Sequence, residues 1–270
     1  MEERIASVDV THVTEEGTSR EVDALAVEEP LEIRVGDKPI SVTMRTPGDD
    51  YDLAAGFLFT EGLIRSAQEI DSIRHWGSPN VVRVALRDGV SIDASRLDRH
   101  FYTGSSCGVC GKTSIDAVHV VAEHLPAIAP IDAVVVHRLP KLLEQNQSAF
   151  LATGGLHGAA ALTASGGLLG VREDIGRHNA VDKVIGSFFR GGQMPPAILM
   201  VSSRASFEVV QKTIVARIPV LASIGAPSTL AVDLARSLGL TLLGFVREGR
   251  FNIYAGEVAL TSRETEKGAR

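Results

Sequence analysis

Between residues 197 and 245, short apolar runs alternate with amphipathic segments at a spacing that leaves few folds open. Residues 197–201, 219–222 and 240–245 are runs of strand length rich in Val, Leu, Ile and Ala, while 207–216 and 229–238 repeat apolar residues at helical spacing. A further helix is expected over 179–189, with Val181, Val184, Ile185 and Phe188 on its buried side. Strand, helix, strand, helix, strand demands parallel pairing with right-handed crossovers, because each helix must carry the chain back to the same sheet edge while covering its apolar face. Upstream, 159–164 and 168–171 flank Gly166-Gly167 as a hairpin, and 148–153 reads as a buried strand. The second half is therefore expected to be an α/β sandwich.

The first half follows a different rhythm. Two runs rich in Ile and Val flank Gly36-Asp37-Lys38-Pro39 as a strand, turn and strand. Leu53, Ala54, Phe57 and Leu58 recur at helical spacing over 51–60, with Gly62 placed to end the helix. Residues 81–86 and 90–92 surround Asp88-Gly89, a hairpin signal. A helix over 113–125, capped by Thr113 or Ser114 and ended by Pro126, would turn Ile115, Val118 and Ala122 inward. The resulting organisation is a flexible segment 1–24, an α+β part 25–112, an α/β part 113–260 and a polar tail 261–270. The fold class is α/β.

Composition narrows the function. With 44% hydrophobic residues in 270, the chain can bury a substantial core, and a formal charge of −6 disfavours nonspecific attraction to nucleic acid. The start lacks the charged-then-apolar pattern of a signal peptide, and no apolar run reaches membrane-spanning length. A cytoplasmic protein that engages neither membrane nor nucleic acid is expected. Two cysteines cannot build a disulfide framework, and their spacing points to chemistry or metal binding instead.

Those cysteines lie in Thr103-Gly104-Ser105-Ser106-Cys107-Gly108-Val109-Cys110-Gly111-Lys112, a small-residue segment just before the expected helix. A helix N-terminus and the Lys112 ammonium both favour the thiolate, so Cys107 and Cys110 are candidate nucleophiles. One can carry sulfur as a persulfide while the other resolves it. Other readings stay open on the residues alone. C-x-x-C is half of a zinc site, which two of His100, His157 and His178 would have to complete. A thioredoxin-like pair is expected early in a small βαβ unit, unlike this one. Ser106–Thr113 approaches a phosphate-binding loop but lacks its first Gly and a preceding buried strand.

A second set of candidates follows the strands of the α/β half. Arg172–Asn179, with Arg177, His178 and Asn179, and the loops 202–206, with Arg204 and Ser206, and 223–228 all stand between a strand and a helix, where ligands meet such folds. Capping of the helices by Ser and Asp is the simpler account of any one of these loops, and only their equivalent placement raises the ligand reading. His157, in Gly154-Gly155-Leu156-His157-Gly158, can face the same cleft as a proton shuttle. Phe245, Val246, Arg247, Glu248, Gly249 and Arg250 follow the last expected strand and bring two guanidiniums suited to phosphate.

Together the segments VEEPLEIRV, MRTPGDDYDLAAGFLFTEGL, SSCGVCGK, ATGGLHGAAL, REDIGRHNAVDKVIG, SSRASFEVVQK, IPVLASIGAPSTLAVDLA and GFVREGRFNIYA resemble the FdhD/NarQ family of formate dehydrogenase accessory sulfurtransferases over nearly the whole chain. The resemblance implies a sulfurtransferase that takes sulfur from a cysteine desulfurase and delivers it to the molybdenum cofactor, bis-molybdopterin guanine dinucleotide, for formate dehydrogenase. On matching positions, Cys107 would bear the persulfide, Cys110 would assist, Phe245–Arg250 would contact the cofactor, and the other loops would hold its guanine-nucleotide ends. It also implies a cytidine deaminase-like α/β half and a homodimer. Deaminases place H-x-E before P-C-x-x-C, whereas here the cysteines precede His157 and no Glu follows it at that spacing; deaminase zinc chemistry and an intrinsic metal are therefore not expected.

Overall fold

The computed structural model describes residues 4–92 and 123–260. Its centre is a six-stranded sheet in the order β13-β12-β11-β10-β8-β9, formed by β8 (His157–Leu162), β9 (Leu168–Asp174), β10 (Ile198–Val201), β11 (Val220–Ser223), β12 (Thr241–Arg247) and β13 (Arg250–Ala255). β10, β11 and β12 are parallel, as the alternation requires, while β8, β9 and β13 run antiparallel to their neighbours. The central strands β10 and β11 are buried along their whole length because both faces are covered, whereas the outer β9 and β13 carry charged and exposed residues. Ala159, Ala161, Leu199, Val201, Leu221 and Leu242 pack under α4 (Arg177–Arg190), α5 (Phe207–Val215) and α6 (Thr229–Leu238). Ala160, Leu162, Ile198, Met200, Val220, Ala222 and Leu243 pack on the other face against α2 (Ala133–Gln145). The result is a three-layer α/β/α body.

Helix α2 has no clear signature in sequence. Val134-Val135-Val136 is a β-branched run and Pro140 stands inside the helix, both of which argue against helix locally. Asp132 caps it, its carboxylate accepting from the Val134 N–H at 2.8 Å, and Val136, Leu139 and Leu143 bury its apolar side. The run 148–153, expected as a strand, is instead the short helix α3 (Ser148–Thr153). A six-residue apolar run does not distinguish the two by period. Here the Glu173 carboxylate settles the matter, accepting from the Ala149 N–H at 3.2 Å and the Phe150 N–H at 2.7 Å.

In the first half, β3 (Glu29–Val35), β4 (Lys38–Arg45), β5 (Ile70–His75) and β6 (Val81–Leu86) form a sheet ordered β4-β3-β6-β5. α1 (Asp50–Thr60) lays Leu53, Ala54 and Leu58 over Leu31, Ile33, Ile40, Val82 and Val84. The second strand expected at 90–92 does not form. Both edges of β6 are already taken, by β5 and β3, and the Val90 N–H turns back to the Arg87 carbonyl at 3.1 Å. Residues 1–24, expected to be flexible, contain β1 (Ile5–Thr14), paired with β2 (Gly17–Ala26) as an antiparallel ribbon. Its base is tied down where the Val27 N–H donates to the Arg4 carbonyl at 3.0 Å and Arg4 reaches Glu173. Of the helix expected over 113–125, only 123–125 lie within the described residues. These are not helical, and the Leu125 N–H donates to the Leu238 carbonyl at 2.8 Å. Two short strands, β7 (Ile131–Asp132) and β14 (Val258–Ala259), pair in parallel beside α2.

The two halves meet along α1 and α4, which approach closely enough that Gly56 and Gly186 face each other's backbone. Buried ion pairs cross the same seam. Lys183 Nζ lies 2.7 Å from Asp174 Oδ2 and donates to the Thr46 carbonyl at 2.8 Å, and Lys212 Nζ joins Asp182, Thr60 and Glu61 at 2.9 Å. Burial alone lowers the Lys212 pKa, but the Asp182 and Glu61 carboxylates more than reverse this, so the ammonium stays charged. Arg172 adds contacts to Asp49 at 3.4 Å and Asp52 at 3.0 Å.

Candidate functional site

At the carboxyl ends of β10, β11 and β12 the chain leaves the sheet through Ser202, Ile224 and Arg247, and β8, antiparallel to β10, begins with His157 at the same edge. This is where an open α/β sheet offers a crevice. The loops there are bound to one another. The Ser202 N–H donates to the Gly158 carbonyl at 2.9 Å, the Gly158 N–H donates to Ser202 Oγ at 3.0 Å, and the Gly225 N–H donates to the Ser203 carbonyl at 3.0 Å. The Phe245 N–H in turn donates to the Gly225 carbonyl at 3.0 Å. A cleft of about 590 Å³ opens beside them, walled by the apolar Leu143, Phe150, Leu156 and Ile224 and by the polar Glu144, Gln147, His157, Ser202 and Arg247.

His157 stands in that wall with Nδ1 3.5 Å from Ser202 Oγ. Burial, and next the Arg177 guanidinium, lower its pKa against the pull of Asp174, so the ring is neutral near pH 7 and can both donate and accept a hydrogen bond. Arg247 shares the wall, and its guanidinium donates to the Ile224 carbonyl at 2.7 Å; of the 245–250 hairpin it alone lines the cleft, while Glu248 lines a separate pocket beside α2 with His137 and Lys141. In that hairpin Glu248 and Gly249, the latter at φ 81°, make the turn between β12 and β13, and Arg250 is exposed. Val246 is fully buried and anchors the hairpin in the core. Phe245 adopts φ 52° at a β-bulge and keeps its ring partly exposed. A bulky residue in the left-handed region is uncommon and is held here by the surrounding hydrogen bonds.

Other expected site residues are placed differently. Asn179 is committed to the seam: its Nδ2 donates to the Met44 carbonyl at 2.7 Å and to Asp174 at 2.9 Å, and its Oδ1 accepts from Thr43 at 3.2 Å. Arg177 and His178 open α4, and Ser206 caps α5 without a side-chain bond to the helix. Arg177 Nε, His178 Nε2 and Ser206 Oγ are buried without a hydrogen-bond partner among the described residues. His178 Nε2 lies 3.9 Å from Glu208. Burial first, and then the charges of Lys212 and Arg177, pull its pKa down to about 4 against Glu208 and Glu61. This second polar group lies between the first turns of α4 and α5; its members do not line the cleft, although Arg177 is near enough to act on His157. Arg204 is exposed, with its backbone packed on Gly225. Cys107 and Cys110 lie outside the described residues.

Gln147 is a cleft residue that the sequence did not announce, since it sits in the link between α2 and α3. Ser202 and Ile224 belong to loops singled out in sequence, and their strand ends were the available signal. Among the described residues, no group of three or more His, Cys, Asp or Glu side chains is placed to hold a metal ion, and no helix is long and apolar enough to cross a membrane.

Chemically, the cleft pairs apolar walls with the hydrogen-bonding groups of Gln147, His157 and Ser202, one arginine and one carboxylate, Glu144, a set suited to a flat heterocycle whose anionic arm lies on the Arg247 side. Comparison with known proteins places this architecture. The model of the FdhD/NarQ family matches residues 26–261. Sulfur carrier protein FdhD of Mycolicibacterium paratuberculosis is 49% identical over 257 residues, covering 91% of this chain and 94% of that protein. The protein of the same name from Streptomyces avermitilis is 46% identical over 267 residues, covering 94% and 95%. A crystal structure of a proposed formate dehydrogenase accessory protein from Desulfotalea psychrophila superposes with a TM-score of 0.76 over 94% of this chain and 98% of that one; at 24% identity it supports the fold. With a family model spanning the cleft, both sheets and the cysteine segment, this chain belongs to the FdhD/NarQ family.

Proposed function

We propose that this protein is a sulfur carrier and sulfurtransferase of formate dehydrogenase maturation, acting in the cytoplasm as a homodimer. In this reading it accepts persulfide sulfur from a cysteine desulfurase on Cys107 and passes it to bis-molybdopterin guanine dinucleotide, bound as substrate in the cleft. The observation that carries the reading is the convergence of His157, Ser202 and Arg247 on one part-apolar cleft at the carboxyl edge of the parallel strands. The naming of relatives that span this chain nearly end to end supports the sulfur half of it.

The chemistry follows from the thiols and the cleft. The Cys107 thiolate attacks the terminal sulfur of the donor persulfide; the new S–S bond forms as the old one breaks, and the donor leaves as a thiolate. Attack of Cys110 on the inner sulfur of the Cys107 persulfide then closes a disulfide and releases the terminal sulfur as hydrosulfide, its two electrons supplied by the thiol pair. Arg247 and neighbouring guanidiniums counter the substrate's phosphates, and the neutral His157 ring hydrogen-bonds without adding charge.

Incubation with a desulfurase and cysteine, followed by intact mass, should reveal one added sulfur that reductant removes and that Cys107→Ser abolishes. Formate dehydrogenase activation should fail with the same variant. If Cys107→Ser still activates the enzyme, the relay is wrong and the protein is a noncatalytic chaperone of the cofactor.

A further inference from the structure

We infer that Gln147 determines ligand specificity in the cleft, its amide pairing with the hydrogen-bonding edge of a planar heterocycle. This rests on the reading that the cleft receives the guanine-nucleotide part of the substrate.

Gln147 occupies the N-cap position of α3, where a polar side chain ordinarily accepts from the helix's first N–H groups. It does not do so. The Glu173 carboxylate, reaching over from β9, takes the Ala149 and Phe150 N–H groups at 3.2 and 2.7 Å, so capping makes no demand on the Gln147 amide. The Gln147 backbone is held on both sides, its N–H by the Glu144 carbonyl at 3.2 Å and its carbonyl by the Leu151 N–H at 2.9 Å. The side chain is 3% exposed and its Nε2 has no hydrogen-bond partner among the described residues. A buried amide left unpaired is costly, and such groups in native proteins call for an explanation.

Gly158 supplies the second half of the argument. A Cβ at position 158 would stand 2.4 Å from both Cδ and Nε2 of Gln147 and 2.8 Å from Oε1, so the amide lies flat against a backbone that only glycine leaves open. Gly158 is the residue that locks to Ser202, next to His157, so the amide is held in register with the other polar groups of the cleft. Backbone, capping and glycine together hold in the wall a hydrogen-bonding group with no partner among the described residues. Its side-by-side N–H and C=O match the paired donor and acceptor on the edge of a guanine or pterin ring, whereas a phosphate offers acceptors alone. The anionic arm of such a ligand would lie against Arg247.

The test uses guanosine diphosphate and inorganic pyrophosphate as probes, measured calorimetrically on the full chain, wild type and Gln147→Leu. Gln147→Leu removes an unpaired buried amide at similar volume, so the unliganded variant should melt no lower than wild type. Its affinity for guanosine diphosphate should fall roughly ten- to a hundredfold, two lost hydrogen bonds, while pyrophosphate affinity stays within about twofold. Parallel loss of both probes would show Gln147 to be structural, and no loss of either would show that it does not touch the base; each overturns the inference and leaves the proposed function standing. Wild-type protein that binds neither probe overturns both. Gly158→Ala, which pushes the amide aside, should reproduce the base-selective loss.

Discussion

The crossing of α1 and α4 makes a prediction in which local and tertiary physics carry opposite signs. Replacing a mid-helix glycine by alanine should stabilise a helix by about 1 kcal/mol, because glycine has the greater backbone freedom to lose. At Gly56, however, an added Cβ would sit 1.9 Å from the Asp182 carbonyl oxygen and 2.7 Å from its carbon; at Gly186 the reciprocal atom would sit 1.9 Å from the Asp52 carbonyl oxygen. Ordinary contact begins at 3.4 Å, so the helices must separate by about 1.5 Å. Neither obstacle is the end of a flexible side chain. Overpacking of this kind costs about 1–3 kcal/mol where neighbours can relax. Here separation also strains the buried Lys212–Asp182–Thr60 cluster that spans the two helices, and losing one partner of a buried pair costs about 3–5 kcal/mol. The net expectation for Gly56→Ala is a loss of about 2–4 kcal/mol, a fall of roughly 5–10 °C in a chain of this size. Urea unfolding with an unchanged slope measures it. Gly170→Ala is the control, since nothing lies within 4 Å of a Cβ there. Once the helices are apart, adding Gly186→Ala should cost less than it does alone. A Gly56→Ala midpoint at or above that of wild type would refute the reasoning.

Two further outcomes follow from buried charge. Lys183→Met leaves the wholly buried Asp174 without its partner and should cost about 3–5 kcal/mol in urea, with Asp174→Asn added to it recovering part of the loss. For His178 the folded pKa of about 4 lies below the unfolded value of 6.5, so between those limits the unfolded chain binds the extra proton and stability falls as pH falls. The loss approaches ~3 kcal/mol by pH 4, and a His178→Gln variant should show a shallower decline over that range in unfolding measured at successive pH values.

Much of this architecture was legible in the chain. The alternation over 197–245 dictated a parallel β10-β11-β12 core and its helices to within a residue or two, because apolar period and run length are local properties that a buried sheet imposes directly. The signals failed where the decisive partner is distant in sequence. The 148–153 run became helix because Glu173, in another strand, satisfies its first N–H groups, and α2 tolerates Val134–Val136 and Pro140 because the second sheet face needs a cover. Asn179 read as a binding residue from its place at a helix start, but its amide is taken up by Met44, Thr43 and Asp174. Gln147 showed the reverse, an unremarkable link residue in the cleft wall whose Nε2 has no partner among the described residues. The sequence by itself determined the fold class, the family and the cysteine pair, since these rest on pattern and on ordered motifs. Only the tertiary structure decided which polar groups are used up inside the protein and which face the cleft, because hydrogen-bond satisfaction depends on atoms brought together from across the chain.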